Sequence, residues 1–164
     1  MSRKILFTLL AVLFLATGAS AANREIYPVP AQAKPDLEAA LRMAPTVHKR
    51  ILLDFGGNWC GDCQVLDIYL HDPANHKLLT DNFVLVHVNI GHMDANLDIA
   101  QKYGIPLNKG VPAVAVLNED GNLLYSQQDG QFEAMRRMDI SSVTQFLDKW
   151  KPAHTGCKTT LVNC

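Results

Sequence analysis

The stretch "GGNWCGDC", residues 56–63, sets Cys60 and Cys63 three positions apart. A pair at that spacing can form a reversible disulfide, supply two ligands to a metal, or act as an inert staple. The elements carrying the pair discriminate among these. Just upstream, "ILLDF" (51–55) is short, apolar and closed by Gly56-Gly57, the pattern of a strand buried on both faces. Just downstream, Val65, Leu66, Tyr69 and Leu70 recur on one helical face of residues 61–71. Cysteines at the hand-over from a buried strand to a helix read as a redox centre. The N–H groups and dipole of the helix start stabilise a thiolate at Cys60, the expected exposed nucleophile, while Cys63, one turn further in, becomes the more buried resolving thiol.

A zinc site needs two more ligands. Cys157 and Cys164 could supply them only if the C-terminal tail folds back, and their spacing of seven is not a usual zinc-ligand spacing. The expectation is therefore no metal and no other cofactor. The first 21 residues carry Arg3 and Lys4, an apolar run from Ile5 to about Ala16, and Ala19-Ser20-Ala21, the layout of a cleavable export signal. The apolar run falls short of the roughly 20 residues that span a bilayer, although an uncleaved anchor stays open as an alternative. A bacterial periplasm is the expected compartment, where disulfides persist, so Cys157 and Cys164 are expected to form a structural disulfide in the tail 151–164. A mobile second redox pair, and reshuffled pairing among the four cysteines, stay open.

Without residues 1–21 the chain of 164 residues is the size of one ordinary domain, taken as 22–150. Loss of Arg3 and Lys4 moves the formal charge from −1 to −3, which argues against nucleic acid or an anionic membrane as partner. Leu37, Ala40, Leu41 and Ala44 predict a helix opened by Pro35-Asp36 and stopped by Pro45. A break near His71 follows from Asp72-Pro73, a cap with proline at the first helical position. A second buried strand is expected over 82–90 and a helix over 94–104 closed by Gly104. Strand, helix, strand makes a parallel crossover. Residues 111–128 predict a hairpin around 118–121, and Ser141 or Ser142 is expected to cap a last helix ending at Trp150. "DANLD" (94–98) has the opening of a calcium loop, but Ile99 stands where glycine is required and Ile105 where the closing glutamate belongs. Nor do the other histidines form an H-E-x-x-H pair.

Four separated features now coincide: "DFGGNWCGDC", the buried acid position six residues before Cys60, Trp59 beside the pair, and "YGIPLNKGVPAV". In these the chain resembles the thioredoxin superfamily over roughly residues 35–150. The resemblance implies an α/β thioredoxin-like fold, a central mixed β-sheet flanked by helices. It implies that Asp54 is buried and accepts the proton of Cys63, that Trp59 rims the site, and that His87 neighbours the acid where the family places a lysine. It also implies a cis peptide bond at Pro112, with the backbone of Val111 exposed for pairing with an extended substrate. Between the cysteines stand Gly61 and Asp62, where family members often carry Gly-Pro or Pro-His. An ionised Asp62 opposes a Cys60 thiolate, which favours the disulfide and makes the dithiol the better electron donor.

The expected activity is that of a thiol–disulfide oxidoreductase, a reductase by the Asp62 argument. Its partners would be cysteine-containing protein substrates and a redox protein that resets the disulfide. The competing expectation is a thioredoxin-fold module that holds extended chains near Pro112, with the cysteines incidental.

Overall fold

The computed structural model describes residues 24–153. The expected export signal, His154, Cys157 and Cys164 lie outside the described residues. Among the described residues nine helices and strands follow one another: α1 (Ala33–Val47), β1 (Arg50–Gly56), α2 (Gly61–His71), α3 (Pro73–Asn82), β2 (Phe83–Asn89), α4 (Leu97–Lys102), β3 (Ala113–Leu117), β4 (Leu123–Ser126) and α5 (Ile140–Trp150). Short 3-10 turns occupy Pro30–Gln32, Leu107–Lys109 and Met135–Arg137. Among the described residues no helix is long and apolar enough to cross a membrane.

The strands form one mixed sheet in the order β2-β1-β3-β4. β1 pairs with β2 in parallel and with β3 antiparallel, and the β3–β4 pair is antiparallel too. β1 is thus central, which is why its sequence is an almost unbroken apolar run. Its side chains alternate between two cores, as the two-residue period of a strand requires. Ile51, Leu53 and Phe55 pack with α1 and α4 on one face, whereas Leu52 packs with Leu66, Leu70, Leu79, Val143 and Leu147 of α2, α3 and α5 on the other. Truncating one of these fully buried leucines to alanine removes about 2–5 kcal/mol. Asp54 shares the Leu52 face and so points beneath α2.

Four boundaries differ from expectation. Pro45 lies inside α1, not at its end. Proline removes one backbone donor, but near a C-terminus the neighbouring carbonyls find other partners: Thr46 Oγ1 donates to the Met43 carbonyl at 2.7 Å, and the His48 N–H closes on Ala44 with φ 54°. Helix α4 starts at Leu97, three residues late, because Asp94 forms a local turn, its Oδ1 accepting from the His92 N–H at 2.9 Å. It also ends at Lys102, with Gly104 beyond it at φ 64°. The cap of α5 is Asp139, whose Oδ1 accepts from the Ser141 N–H at 2.9 Å, rather than either serine. The helix break at Asp72-Pro73 and the hairpin around 118–121 stand where the residue types place them.

The segment 24–32 has no regular element beyond the short 3-10 turn at Pro30–Gln32, yet it is strapped across the sheet. Asn58 Oδ1 accepts from the Ile26 and Tyr27 N–H groups at 2.9 Å each, and Asn58 Nδ2 donates to the Tyr27 carbonyl at 2.9 Å. Asn89 Nδ2 donates to the Pro28 carbonyl and Asn96 Nδ2 to the Pro30 carbonyl, at 2.6 and 2.8 Å. Side-chain amides suit this task, since they supply donor and acceptor where a strap without sheet partners has both unsatisfied. The strap carries Tyr27 into the protein, where it is only 2% exposed.

Candidate active site

Cys60 and Cys63 are joined in a disulfide at the start of α2. Cys60 is the N-cap, and its Sγ accepts from the Cys63 N–H at 3.1 Å. That contact, together with the helix dipole, stabilises negative charge on Cys60 once the disulfide opens. Cys63 is fully buried, and Cys60 is 6% exposed. The nucleophile is therefore less open than a helix start by itself implies, because two neighbours cover it: Val111, whose carbonyl oxygen lies 3.6 Å from its Sγ, and Tyr27.

Beneath the disulfide, Asp54 is completely buried. The Tyr27 hydroxyl donates to its Oδ2 at 2.7 Å, and His87 Nδ1 lies 3.0 Å from the same oxygen. Register explains the second contact, since Asp54 and His87 are direct partners across the parallel pair. Asp54 Oδ1 has no hydrogen-bond partner among the described residues. Burial, then the charge and hydrogen bond of Asp54, push the Tyr27 phenol well above its ordinary value. The polar chain continues: His87 Nε2 is 3.9 Å from Asp67 Oδ1, and Asp67, itself buried, pairs with Arg24 and lies 3.1 Å from His71 Nδ1. Burial and the nearby His87 and Arg24 charges hold His71 below its ordinary value.

Above the disulfide, the Val111–Pro112 peptide bond is cis. Gln127, buried, donates to the Pro112 carbonyl at 3.2 Å and so anchors that loop. A groove beside it is lined by Asp62, Gly110, Val111, Glu133, Arg136 and Arg137. Asp62 is not a free charge. Arg136 Nε and Nη2 donate to its Oδ2 at 3.1 and 2.9 Å, and the Arg136 backbone N–H donates to Oδ1 at 2.9 Å. Burial acts to raise the Asp62 pKa, but the hydrogen bonds and charge of Arg136, with the charge of Arg137, outweigh it and hold the carboxyl below its ordinary 3.8. The carboxylate is ionised at neutral pH, and the guanidinium beside it offsets much of its field at Cys60, a partner that the sequence reading of Asp62 did not include. Gly61 lies under the same guanidinium. Trp59, 44% exposed, stacks on His92 and donates from Nε1 to the Gly91 carbonyl at 2.6 Å, forming one rim.

A thioredoxin-like family profile matches residues 32–119. The chain belongs to the thioredoxin-like family. The structure of a disulphide isomerase from Xylella fastidiosa Temecula1 is 36% identical, with a TM-score of 0.73, covering 77% of this chain and 96% of that one. The C-terminal domain of Neisseria meningitidis DsbD, in reduced and oxidised forms, shares the fold at 20% identity and a TM-score of 0.53, covering 72% of this chain and 96% of that one. Among curated proteins, Thioredoxin-T of Drosophila melanogaster is 32% identical over 80 residues, 49% of this chain. The match spans 45% of that relative's length.

Of the residues singled out from sequence, the thioredoxin-like fold brings Cys60, Cys63, Asp54, His87, Trp59, Gly61, Asp62, Val111 and Pro112 around one disulfide. Tyr27, Asn58, Asp67 and Arg136 escaped sequence reasoning. Tyr27 sits in a proline-flanked lead-in outside the residues matched by the family profile, and Arg136 in a stretch without helical or strand period. The Arg136-Arg137 dipeptide was the only local sign of a cationic rim. Among the described residues no group of three or more His, Cys, Asp or Glu side chains is placed to hold a metal ion.

Proposed function

We propose that this chain is a periplasmic thiol–disulfide oxidoreductase that acts on cysteine-containing proteins through Cys60 and Cys63, entering the reaction as the dithiol and so working as a reductase. One observation carries the reading: a Cys60–Cys63 disulfide capping α2 directly against the cis Val111–Pro112 loop. An extended substrate laid along Val111 brings its disulfide to Cys60. The Cys60 thiolate attacks, a mixed disulfide forms, and Cys63 resolves it after giving its proton toward Asp54. A second redox protein restores the dithiol.

The export-signal pattern of residues 1–21 supports the compartment. The direction is supported by the likeness to the Xylella fastidiosa disulphide isomerase, since an isomerase also begins from a reduced cysteine. Asp62 adds little, because Arg136 offsets it.

Equilibration of the Cys60–Cys63 pair with glutathione tests the direction. A potential near −270 mV, roughly that of thioredoxin, is expected, whereas one near −120 mV, about that of a strong oxidant, would reverse it. Reduction of a disulfide-bonded protein substrate should disappear in Cys60→Ser. If function instead persists in a Cys60→Ser, Cys63→Ser double variant, the chain is a binding module.

A further inference from the structure

The mechanism above leaves one step without a carrier: the proton of Cys63 must reach a carboxylate on the neighbouring strand. We propose that the Tyr27 hydroxyl carries it, bridging Cys63 and Asp54, an inference that rests on the oxidoreductase reading. The geometry comes from Gly56. Side chains of β1 at positions 52, 54 and 56 share one face, and the last of these has none. A Cβ on Gly56 would lie 2.5 Å from the Tyr27 oxygen and 2.7 Å from Cys63 Sγ. The two atoms thus crowd into the space a side chain would take, no more than 5.2 Å apart by those two distances. Tyr27 also packs in one buried cluster with Cys60 and Cys63. From there its hydroxyl already donates to Asp54 Oδ2 at 2.7 Å. It retains a lone pair to accept from a Cys63 S–H.

The strap that carries this phenol lies outside the family-matched segment 32–119. Burial and the Asp54 charge oppose its ionisation, so it does not store charge. It relays by receiving one proton while giving up another. In the step, the Cys63 S–H bond breaks, its proton passes to the Tyr27 oxygen, and the original phenol proton passes to Asp54 Oδ2. The Cys63 thiolate attacks Cys60 Sγ, the Cys60–Cys63 bond forms, and the bond from Cys60 to the substrate breaks. The substrate sulfur leaves with the electron pair. The cysteine pair is oxidised and the substrate disulfide reduced, and the Asp54 proton returns through solvent to the substrate thiolate. The titratable and charged groups around the relay are Asp54 from β1, His87 from β2, Cys60 at the N-cap of α2, Cys63 and Asp67 within α2, and Arg24 and Glu25 from the strap itself. His87 contacts the Tyr27 ring edge-on, with centroids 5.1 Å apart.

The test uses the reduced full chain carrying Cys157→Ser and Cys164→Ser in every variant, so that only Cys60 and Cys63 remain, and an aromatic disulfide reagent, dithiobis-nitrobenzoate, which then releases one coloured thiolate when Cys60 attacks and a second when Cys63 resolves. In Tyr27→Phe, which keeps the ring, the second phase should slow about tenfold or more near neutral pH while the first is unchanged. The deficit should shrink as alkaline pH ionises Cys63 directly. In an Asp54→Asn background, Tyr27→Phe should add nothing further, because both act in one relay. A wild-type second phase and pH profile in Tyr27→Phe would overturn the proposal. Equal slowing of both phases, or independent effects in the double variant, would do so as well. Absence of a Cys60-dependent first phase in the wild-type chain would instead remove the oxidoreductase reading itself.

Discussion

Two aspartates flank the disulfide and face opposite situations. Asp54 is wholly buried below it, held by a phenol and an imidazole; Asp62 lies at the groove edge, clasped by three N–H groups of Arg136. Both are carboxylates near the cysteines in sequence, one six residues before Cys60 and one between the pair, and their environments separate their roles. A guanidinium that is always charged fixes Asp62 as an anion and offsets its field. The partners of Asp54, a phenol and an imidazole, are groups that can themselves pass a proton along a hydrogen bond. Position relative to the cysteines is therefore a poorer guide to role than the chemistry of the partner.

The sharpest way to break this comparison is to neutralise each acid in turn. Asp54→Asn should slow resolution of the mixed disulfide by about a hundredfold, within the range of a lost general base, and leave its formation close to wild type. Asp62→Asn should leave resolution within about twofold. Rapid-quench measurement of the mixed disulfide reads both, and equal effects would erase the distinction.

Packing around Asp54 gives the next effect. Gly56→Ala places a methyl 2.5 Å from the Tyr27 oxygen and 2.7 Å from Cys63 Sγ, so one must move. An overpacked core of this kind loses about 1–3 kcal/mol, read as a lower denaturant midpoint at unchanged slope. A wild-type midpoint would mean that the phenol sits less tightly against the sulfur. Asn58→Ala should lose about 1–2 kcal/mol by leaving strap groups unpaired, with faster amide exchange at Ile26 and Tyr27 as its signature. Exchange confined to other residues would show that Asn58 does not hold the strap.

The smallest effects belong to the surface pair. Arg136→Ala exposes the Asp62 charge to Cys60, and alkylation of reduced Cys60 should slow about two- to fivefold at low salt, with the difference fading at high salt. The pair also carries a pH signature of defined sign. Because the folded carboxyl is held below 3.8, its stabilisation is present above that value and is lost as pH falls through the lower, folded one. Acid unfolding of Arg136→Ala should lack this increment, and superimposable acid limbs would show that the pair contributes nothing to stability.

What the sequence alone determined follows from short-range rules. A central strand buried on both faces must be apolar throughout, so "ILLDF" was legible as β1, and glycines followed by a capping cysteine placed the pair at the mouth of α2. The single acid in that strand marked Asp54, and period and caps located the crossover, the Asp72-Pro73 break and the hairpin. Tertiary structure alone decided what touches the cysteines. Tyr27 reaches Asp54 across 27 residues, and Arg136 reaches Asp62 across 74. Neither residue lies in a segment whose period assigns it a face, so nothing local marks its partner. The covering of Cys60 likewise depends on a strap and a proline loop meeting over one sulfur, because burial at a helix end is set by whatever chain crosses it.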